Sequence, residues 1–337
     1  MQISEYVSLG HPDKTADYIS SYLLDRYIEK DPNTKFAVEV QIKGADVNLA
    51  GEVSSKAKFT NKQIERFVKQ AVADIGYTKA YQKKFGKENT ICDKDIKVHT
   101  YISAQSPDIA KGLNGWGDQG IFFGYAYPDK STDYLQPAQH LAKTICEQLL
   151  KEDSFGKDIK VLTVLTENKK VKKVIIAAPV SPCQSQKSKV ISDLLDCKVD
   201  LIFNGTGEYT KHGSIADCGT TGRKLAVDFY GGACKIGGGS PWTKDGSKAD
   251  LTLNLYARYL ALKFLKDNGL TVPVFCDIAC AIGQQEINIS IHNGEGIIFQ
   301  EYTEKCSPKA LIKKFGLNKP IYAALCKNGL FSRIKVK

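Results

Sequence analysis

Extended runs rich in β-branched residues alternate with stretches of helical period about three times along the chain, and this alternation restricts the fold more than any other sequence feature. Residues 14–30 put Ile19, Leu23, Tyr27 and Ile28 on one helical stripe, ahead of an Asp31-Pro32-Asn33 turn and two strand-like runs, 36–43 and 47–55. Residues 61–74 then predict a helix, 96–103 a strand, 136–150 a helix, and 159–166 with 171–178 a hairpin across Glu167-Asn168-Lys169-Lys170. The same order returns as a helix around 187–195, a strand over 199–203, a long glycine-rich segment and a helix over 250–266. No short repeat or low-complexity linker interrupts the pattern, so the expectation is an α/β or α+β protein of related lobes.

Length and composition bound the rest. At 337 residues and 42% hydrophobic content the chain can bury a large core, in two or three lobes. There is no run of eighteen apolar residues, and MQISEYVSLG lacks the basic and apolar regions of a signal peptide, so the expectation is a cytoplasmic protein without a membrane partner. Ten cysteines without a CxxC pair predict reduced, mostly buried thiols. Cys276 and Cys280 lie in VFCDIACAIG, a strand-like run in which packing on one face is preferred to metal binding. A net charge of +10 fits either solvated faces or a polyanionic partner. The lysine pairs at 83–84, 169–170, 172–173 and 313–314 lack interleaved aromatics, so nucleic acid is not expected.

Residue types that carry chemistry concentrate in three places. In LGHPDKT, His11-Pro12-Asp13-Lys14 stand where a helix begins. Free N–H groups at a helix start suit phosphate, and proline would aim His11 as a donor and Asp13 as a ligand for a hard cation; the plainer alternative is an N-cap aspartate beside an incidental histidine. In DCGTTGRKLAVDFYGG (217–232) and ACKIGGGSPWTKDGSKAD (233–250), Asp217, Arg223, Lys224, Lys244, Lys248 and Asp250 are set among glycines. This is the composition of a polyphosphate cradle or of a glycine-rich surface loop. It is not a Walker loop, since no GxxxxGK[ST] occurs, and no GxGxxG opens a βαβ unit. The third, SAQSPDIAKGLNGWGDQG (103–120), reads by composition as a loop.

Taken in order, GHPDK at 10–14, the Glu39 strand, GEVSS at 51–55, QSPDI at 105–109, GDQGIFFGYA at 117–126, DCGTTGRK at 217–224, DFYGG at 228–232, GGGSPWTKDGSKAD at 237–250 and CAIG at 280–283 resemble the blocks of the S-adenosylmethionine synthetase family nearly end to end. The resemblance implies an α+β fold of three similar β-α-β lobes with pseudo-threefold symmetry, interleaved in approximate segments 1–104, 105–225 and 226–337. Sheets would pack at a homodimer interface, in a dimer or a dimer of dimers, with active sites between subunits. It implies the substrates ATP and L-methionine, two Mg²⁺ per site and K⁺. The methionine sulfur would attack ribose C5′, expelling triphosphate that is then cleaved to pyrophosphate and phosphate.

By the same resemblance Asp13 and Asp250 hold Mg²⁺, Glu39 matches the K⁺ position, and His11 contacts the leaving oxygen. Lys160, Arg223, Lys224, Lys244 and Lys248 clamp the phosphates. Glu52 and Gln105 match methionine contacts, Asp217 lies between methionine and nucleoside, Tyr209 matches the adenine-stacking aromatic, Asp158 an acidic ATP neighbour and Ser240 a substrate contact, while Asp108 and Asp118 flank the gating loop. The chain departs from the family in a shorter segment between Gln105 and Asp118, in Glu208 where arginine is usual, in Ile236 where histidine is usual, and in VSPCQSQ (180–186), which lacks a Gln-His pair. A tripolyphosphate or nucleotide hydrolase on the same fold is the alternative; Glu52 and Gln105 speak against it.

Overall fold

The computed structural model describes residues 1–104, 115–181 and 188–336. In chain order the strands and helices are β1 (Gln2–Val7), α1 (Pro12–Ile28), β2 (Lys35–Lys43), β3 (Asp46–Ser54), α2 (Asn61–Ile75), α3 (Lys79–Phe85), β4 (Lys97–Ser103), β5 (Gly120–Ala126) and α4 (Pro137–Leu149). There follow β6 (Lys160–Leu165), β7 (Val171–Ala177), α5 (Lys189–Asp196), β8 (Asp200–Phe203), β9 (Gly219–Thr220), α6 (Leu225–Asp228), α7 (Ala249–Asp267), β10 (Val274–Cys280), β11 (Glu286–His292), β12 (Ile298–Lys305), α8 (Pro308–Phe315) and α9 (Tyr322–Asn328). This is the expected α+β organisation, and every element anticipated from periodicity is present with its ends moved by a few residues.

The strands form three four-stranded sheets ordered β9-β2-β3-β4, β1-β6-β7-β8 and β5-β10-β11-β12. A central antiparallel hairpin recurs in each: β2–β3, β6–β7 and β10–β11. The fourth strand pairs parallel in the first two sheets, where α2 and α3 or α5 supply the crossover that parallel pairing needs. In the third sheet no helix intervenes, and β12 returns antiparallel across a turn rich in glycine. The edge strands are passed round a cycle. β1, which precedes α1, pairs with β6; β5, which precedes α4, pairs with β10; and β9, which precedes α7, pairs with β2. Each sheet is therefore completed by chain from another part of the sequence.

Helices cover one face of every sheet: α1 packs on β2, α4 on β1 and β6, and α7 on β5 and β10. Three hydrophobic clusters fill these contacts. Strand alternation marks the covered face, as in β2, where Phe36, Val38, Val40 and Ile42 are buried and Glu39, Gln41 and Lys43 are exposed. On β10 the same alternation buries Val274, Cys276, Ile278 and Cys280 together. Among the described residues the opposite faces carry no helix, and they present large apolar side chains, Tyr101 at 68% exposure, Ile121 at 59% and Ile3 at 44%. All nine described cysteines are free thiols, six of them buried.

Several elements were not legible from periodicity. Helices α3, α8 and α9 have only seven or eight residues, about two turns, too few to display a stripe. In β5, GIFFGYA is apolar without alternation. β1, β11 and β12 also went unassigned, although EINISIH in β11 alternates strictly.

An aromatic cluster carries α3 to the start of α1. The ring of His212 is fully buried among Tyr77, Tyr81 and Phe85. Its Nδ1–H donates to the Thr210 carbonyl at 2.7 Å, and Nε2 accepts from the Tyr81 hydroxyl at 2.6 Å. The Tyr77 hydroxyl donates to Gly10 O at 2.5 Å. Burial lowers the His212 imidazole to about 4, so the neutral ring is the native form at pH 7. Its contribution is complete above the ordinary histidine value and is lost as pH falls toward 4, because the unfolded chain takes up the proton first. Wild type should therefore exceed His212→Asn in stability by an amount that narrows by about 3 kcal/mol between pH 7 and pH 4 in chemical denaturation. A His212 ring resonance that titrates near the ordinary value in NMR would contradict this.

Candidate active site

The start of α1 is shaped by what packs against it. A Cβ on Gly10 would lie 2.4 Å from the Lys157 carbonyl oxygen, so only glycine fits there. His11 is the N-cap and Pro12 the first helical residue, which places the helix start before residue 14, where the hydrophobic stripe begins. Asp13 consequently lies in the first turn, and the histidine takes the capping place that the plainer reading of this motif gave to the aspartate. The His11 Nδ1 accepts from the Asp13 N–H at 3.2 Å, so the neutral ring carries its proton on Nε2, as a donor. Burial, reinforced by the Lys224 ammonium, lowers this imidazole to about 4 and keeps it neutral at pH 7.

The 217–224 loop is laid directly on that turn. A Cβ on Gly219 would come 2.2 Å from the Pro12 carbonyl oxygen, which makes this glycine the condition of the contact. Asp13 is 2% exposed; its Oδ1 accepts from the Thr220 N–H at 2.9 Å and its Oδ2 from the Lys224 ammonium at 2.5 Å. Burial pushes the Asp13 carboxyl up, but these bonds outweigh it and hold the group below its usual range. Arg223 Nε stands 3.9 Å from Asp13 Oδ1, with its side chain largely in solvent. Asp217 is exposed at the head of the loop and accepts from the Cys218 N–H at 2.7 Å.

The 237–250 loop lies beside it. A Cβ on Gly222 would meet Ser240 Cβ at 2.9 Å, and one on Gly239 would meet Asp250 Cγ at 2.1 Å. Lys244 forms an ion pair with Asp250. Lys248 is the N-cap residue of α7 and its ammonium makes no ion pair among the described residues. Glu39, on the helix-free face of β2, accepts from the hydroxyls of Thr221 and Thr243, the latter at 3.0 Å, and so joins both loops. Ala37 on the same face bridges to Lys244 and stands opposite Glu52 in the register. Asp118 precedes β5, where its carbonyl accepts from the Cys280 thiol at 3.4 Å.

On the other side of His11, Asp158 Oδ2 accepts from the Tyr209 hydroxyl and the Gly213 N–H, both at 2.8 Å. Burial raises the Asp158 carboxyl to about 6, against the effect of these bonds. Lys160, at the start of β6, pairs with Glu5 of β1 at 3.0 Å, and its charge helps to depress the His11 ring.

The fold thus brings His11, Asp13, Asp158, Lys160, Tyr209, Asp217, Arg223 and Lys224 around the start of α1, and joins them through Glu39 and Ser240 to Lys244, Lys248 and Asp250. Glu52 makes no hydrogen bond or ion pair among the described residues, and Gln105, Asp108 and the 182–186 stretch lie outside them. Sequence reading gave no supporting role to Glu5, Lys14, Asp17, Thr221, Asp228 or Trp242, although Lys14, Thr221, Asp228 and Trp242 stand inside its motifs. Only the three-residue spacing of Lys14 and Asp17 on a helix offered a signal.

The carboxylate and hydroxyl donors suit hard cations. Among the described residues no three His, Cys, Asp or Glu side chains form a preformed cage.

Residues 1–107 match the model of the S-adenosylmethionine synthetase N-terminal domain, and residues 211–337 that of the C-terminal domain. An S-adenosylmethionine synthase of Kosmotoga olearia is 34% identical over 99% of this chain and 94% of its own length. One of Zymomonas mobilis is 33% identical over 98% and 92%. The solved structure of an unusual S-adenosylmethionine synthetase from Campylobacter jejuni superposes with a TM-score of 0.88 at 28% identity, covering 99% of this chain and 95% of the other. With two-loop geometry, fold and sequence in agreement over nearly its whole length, the chain belongs to the S-adenosylmethionine synthetase family.

Proposed function

We propose that this chain synthesises S-adenosylmethionine from ATP and L-methionine by the attack of the methionine sulfur on ribose C5′. The C5′–O bond breaks, the sulfonium forms, and triphosphate departs to be hydrolysed to pyrophosphate and phosphate. Charge accumulates on the leaving oxygen, so the site must stabilise the departing polyphosphate more than the bound substrate. The observation that carries this reading is the meeting of two lysine-held carboxylates, Asp13 with Lys224 and Asp250 with Lys244, beside a helix start capped by a neutral imidazole.

In this reading the Nε2–H of His11 donates toward the leaving oxygen. Lys160, Arg223, Lys224, Lys244 and Lys248 surround the phosphates. Tyr209, held by Asp158, stacks on adenine, with Asp217 and Ser240 as further substrate contacts. Glu52 and Gln105 serve methionine, and Asp118 is a further substrate contact. Asp13 and Asp250 would hold Mg²⁺, two ions per site, and Glu39 with its two threonine hydroxyls would hold K⁺. Bound Mg²⁺ supplies charge neutralisation of the polyphosphate.

The cyclic exchange of edge strands supports a pseudo-threefold arrangement of lobes drawn from segments 1–104, 105–225 and 226–337. The helix-free sheet faces, with Tyr101 and Ile121 exposed, support a homodimer closed through the sheets, singly or as a dimer of dimers. Glu39 and Glu52 lie on such a face, so a partner sheet would cover the site. The expected place of work is the cytoplasm, with no role for nucleic acid or membrane; no helix among the described residues is long and apolar enough to span a bilayer.

Purified protein supplied with ATP, methionine, Mg²⁺ and K⁺ should form S-adenosylmethionine. Asp13→Asn and Asp250→Asn should each lower turnover by about a hundredfold or more; near-normal rates in both would refute the metal assignment. In the proposed dimer the methionine-side residues and the triphosphate-side residues of one site come from different subunits, so mixing Glu52→Ala with Lys248→Ala protein under subunit exchange should restore part of the activity, because the site that takes Glu52 from one subunit and Lys248 from the other regains all its parts. Mixtures as inactive as their parents, with exchange demonstrated, would show that the site is not shared. Glu208 is exposed one residue before Tyr209, and with Tyr209 on adenine its carboxylate would stand near an anionic substrate. Glu208→Arg should lower the KM for ATP by roughly twofold to tenfold, less at high salt, and leave the KM for methionine unchanged. A stable variant with an unaltered ATP KM would show that Glu208 points away from the nucleotide.

A further inference from the structure

Behind the carboxylates that face the site lies a second charged group that the reaction does not touch. Lys14 turns inward from the first turn of α1 to 4% exposure. Its ammonium donates to Asp17 Oδ2 at 3.1 Å and to Asp228 Oδ1 at 2.5 Å, and stands 4.5 Å from the centre of the Trp242 ring. The two outer oxygens have donors as well. Asp17 Oδ1 accepts from the Gly222 N–H at 2.9 Å, and Asp228 Oδ2 accepts from the Trp242 indole at 2.7 Å.

Those outer donors belong to the two phosphate-side loops. Gly222 immediately precedes Arg223 and Lys224; Trp242 lies two residues before Lys244. We infer that Asp17 and Asp228, joined through Lys14, are positioning residues that set the spacing between the Arg223-Lys224 cations and the Lys244-Asp250 ion pair, and with it the affinity for a polyphosphate chain. Hydrogen bonds donated to these buried carboxylates tie the Gly222 loop to Asp17 of α1 directly and the Trp242 loop to α1 through Asp228 and Lys14; α1 also carries His11 and Asp13. Displacing either loop would separate cations that must reach the same chain of phosphates. The inference rests on the proposed reaction for the purpose of that chain, although binding can be read without turnover.

The test titrates the full-length protein with inorganic tripolyphosphate and Mg²⁺ by calorimetry, and follows S-adenosylmethionine formation in the same preparations. Trp242→Phe keeps a ring over Lys14 and deletes only the indole donor; Asp17→Ala removes the acceptor for Gly222. The tripolyphosphate Kd should rise by roughly tenfold in Asp17→Ala and by about threefold in Trp242→Phe, the scale expected when binding groups are displaced by a fraction of an ångström. The KM for methionine should stay within about twofold. A purely structural role would lower Tm and leave the Kd unchanged at temperatures where the variant is folded. Should Asp17→Ala fail to fold, Trp242→Phe decides alone. Folded variants with the wild-type Kd overturn the inference. Weakened binding in the variants beside a wild type that forms no S-adenosylmethionine refutes the proposed reaction and leaves the positioning role standing.

Discussion

A lysine ammonium enclosed by two aspartates at the first turn of α1 is the interaction on which the rest of the site depends. Taking these charges from water is costly, and the arrangement is tolerable because every carboxylate oxygen has a donor. Removing one member of such a group leaves an uncompensated buried charge, at a cost of about 3–5 kcal/mol. The same bonds draw together α1, the 217–224 loop, the residues around Asp228 and the loop that holds Trp242. Stability and site geometry therefore rest on one set of contacts.

Above this layer the charges that face the site neutralise one another. Asp13 holds Lys224 and Asp250 holds Lys244, so neither carboxylate nor lysine stands alone. In the proposed reaction an entering polyphosphate would compete for the ammonium groups, and the carboxylates released by that exchange would suit a hard cation. His11 takes no part in this exchange of charge, since burial and the neighbouring Lys224 keep its ring neutral, with a proton available on Nε2. The net surplus of +10 is concentrated here only in part; much of it sits in exposed lysine pairs such as 313–314.

The sheets place these layers. Because β1, β5 and β9 each complete a sheet whose hairpin lies elsewhere in the chain, no sheet closes until distant segments have met. That interleaving brings β9 beside β2, and with it Thr220 and Thr221 to Asp13 and Glu39. A shift of this short strand by one residue would turn the donors to the opposite face. The helix-free faces retain exposed tyrosine and isoleucine, a surface that a second sheet would bury.

The main helices and hairpins were legible in the sequence because a stripe of 3.6 or 2 residues is a local property, visible over a dozen positions in α1, α2 or the β6–β7 hairpin. The motifs around His11, Asp217 and Asp250 were legible for a related reason: glycines among charged residues disclose a close approach of backbone before its partner is known. Short helices such as α9 were not, being decided by capping from afar, where both Asp25 oxygens accept from the N–H groups of Tyr322 and Ala323. Nor could the sequence disclose that Lys14, one residue from Asp13, points into the core and not toward the site. Neighbours on a helix are turned about 100° apart. Only the packing of Trp242 and Asp228, more than two hundred residues away, decided which of these two buried charges would serve as a support and which would face the site.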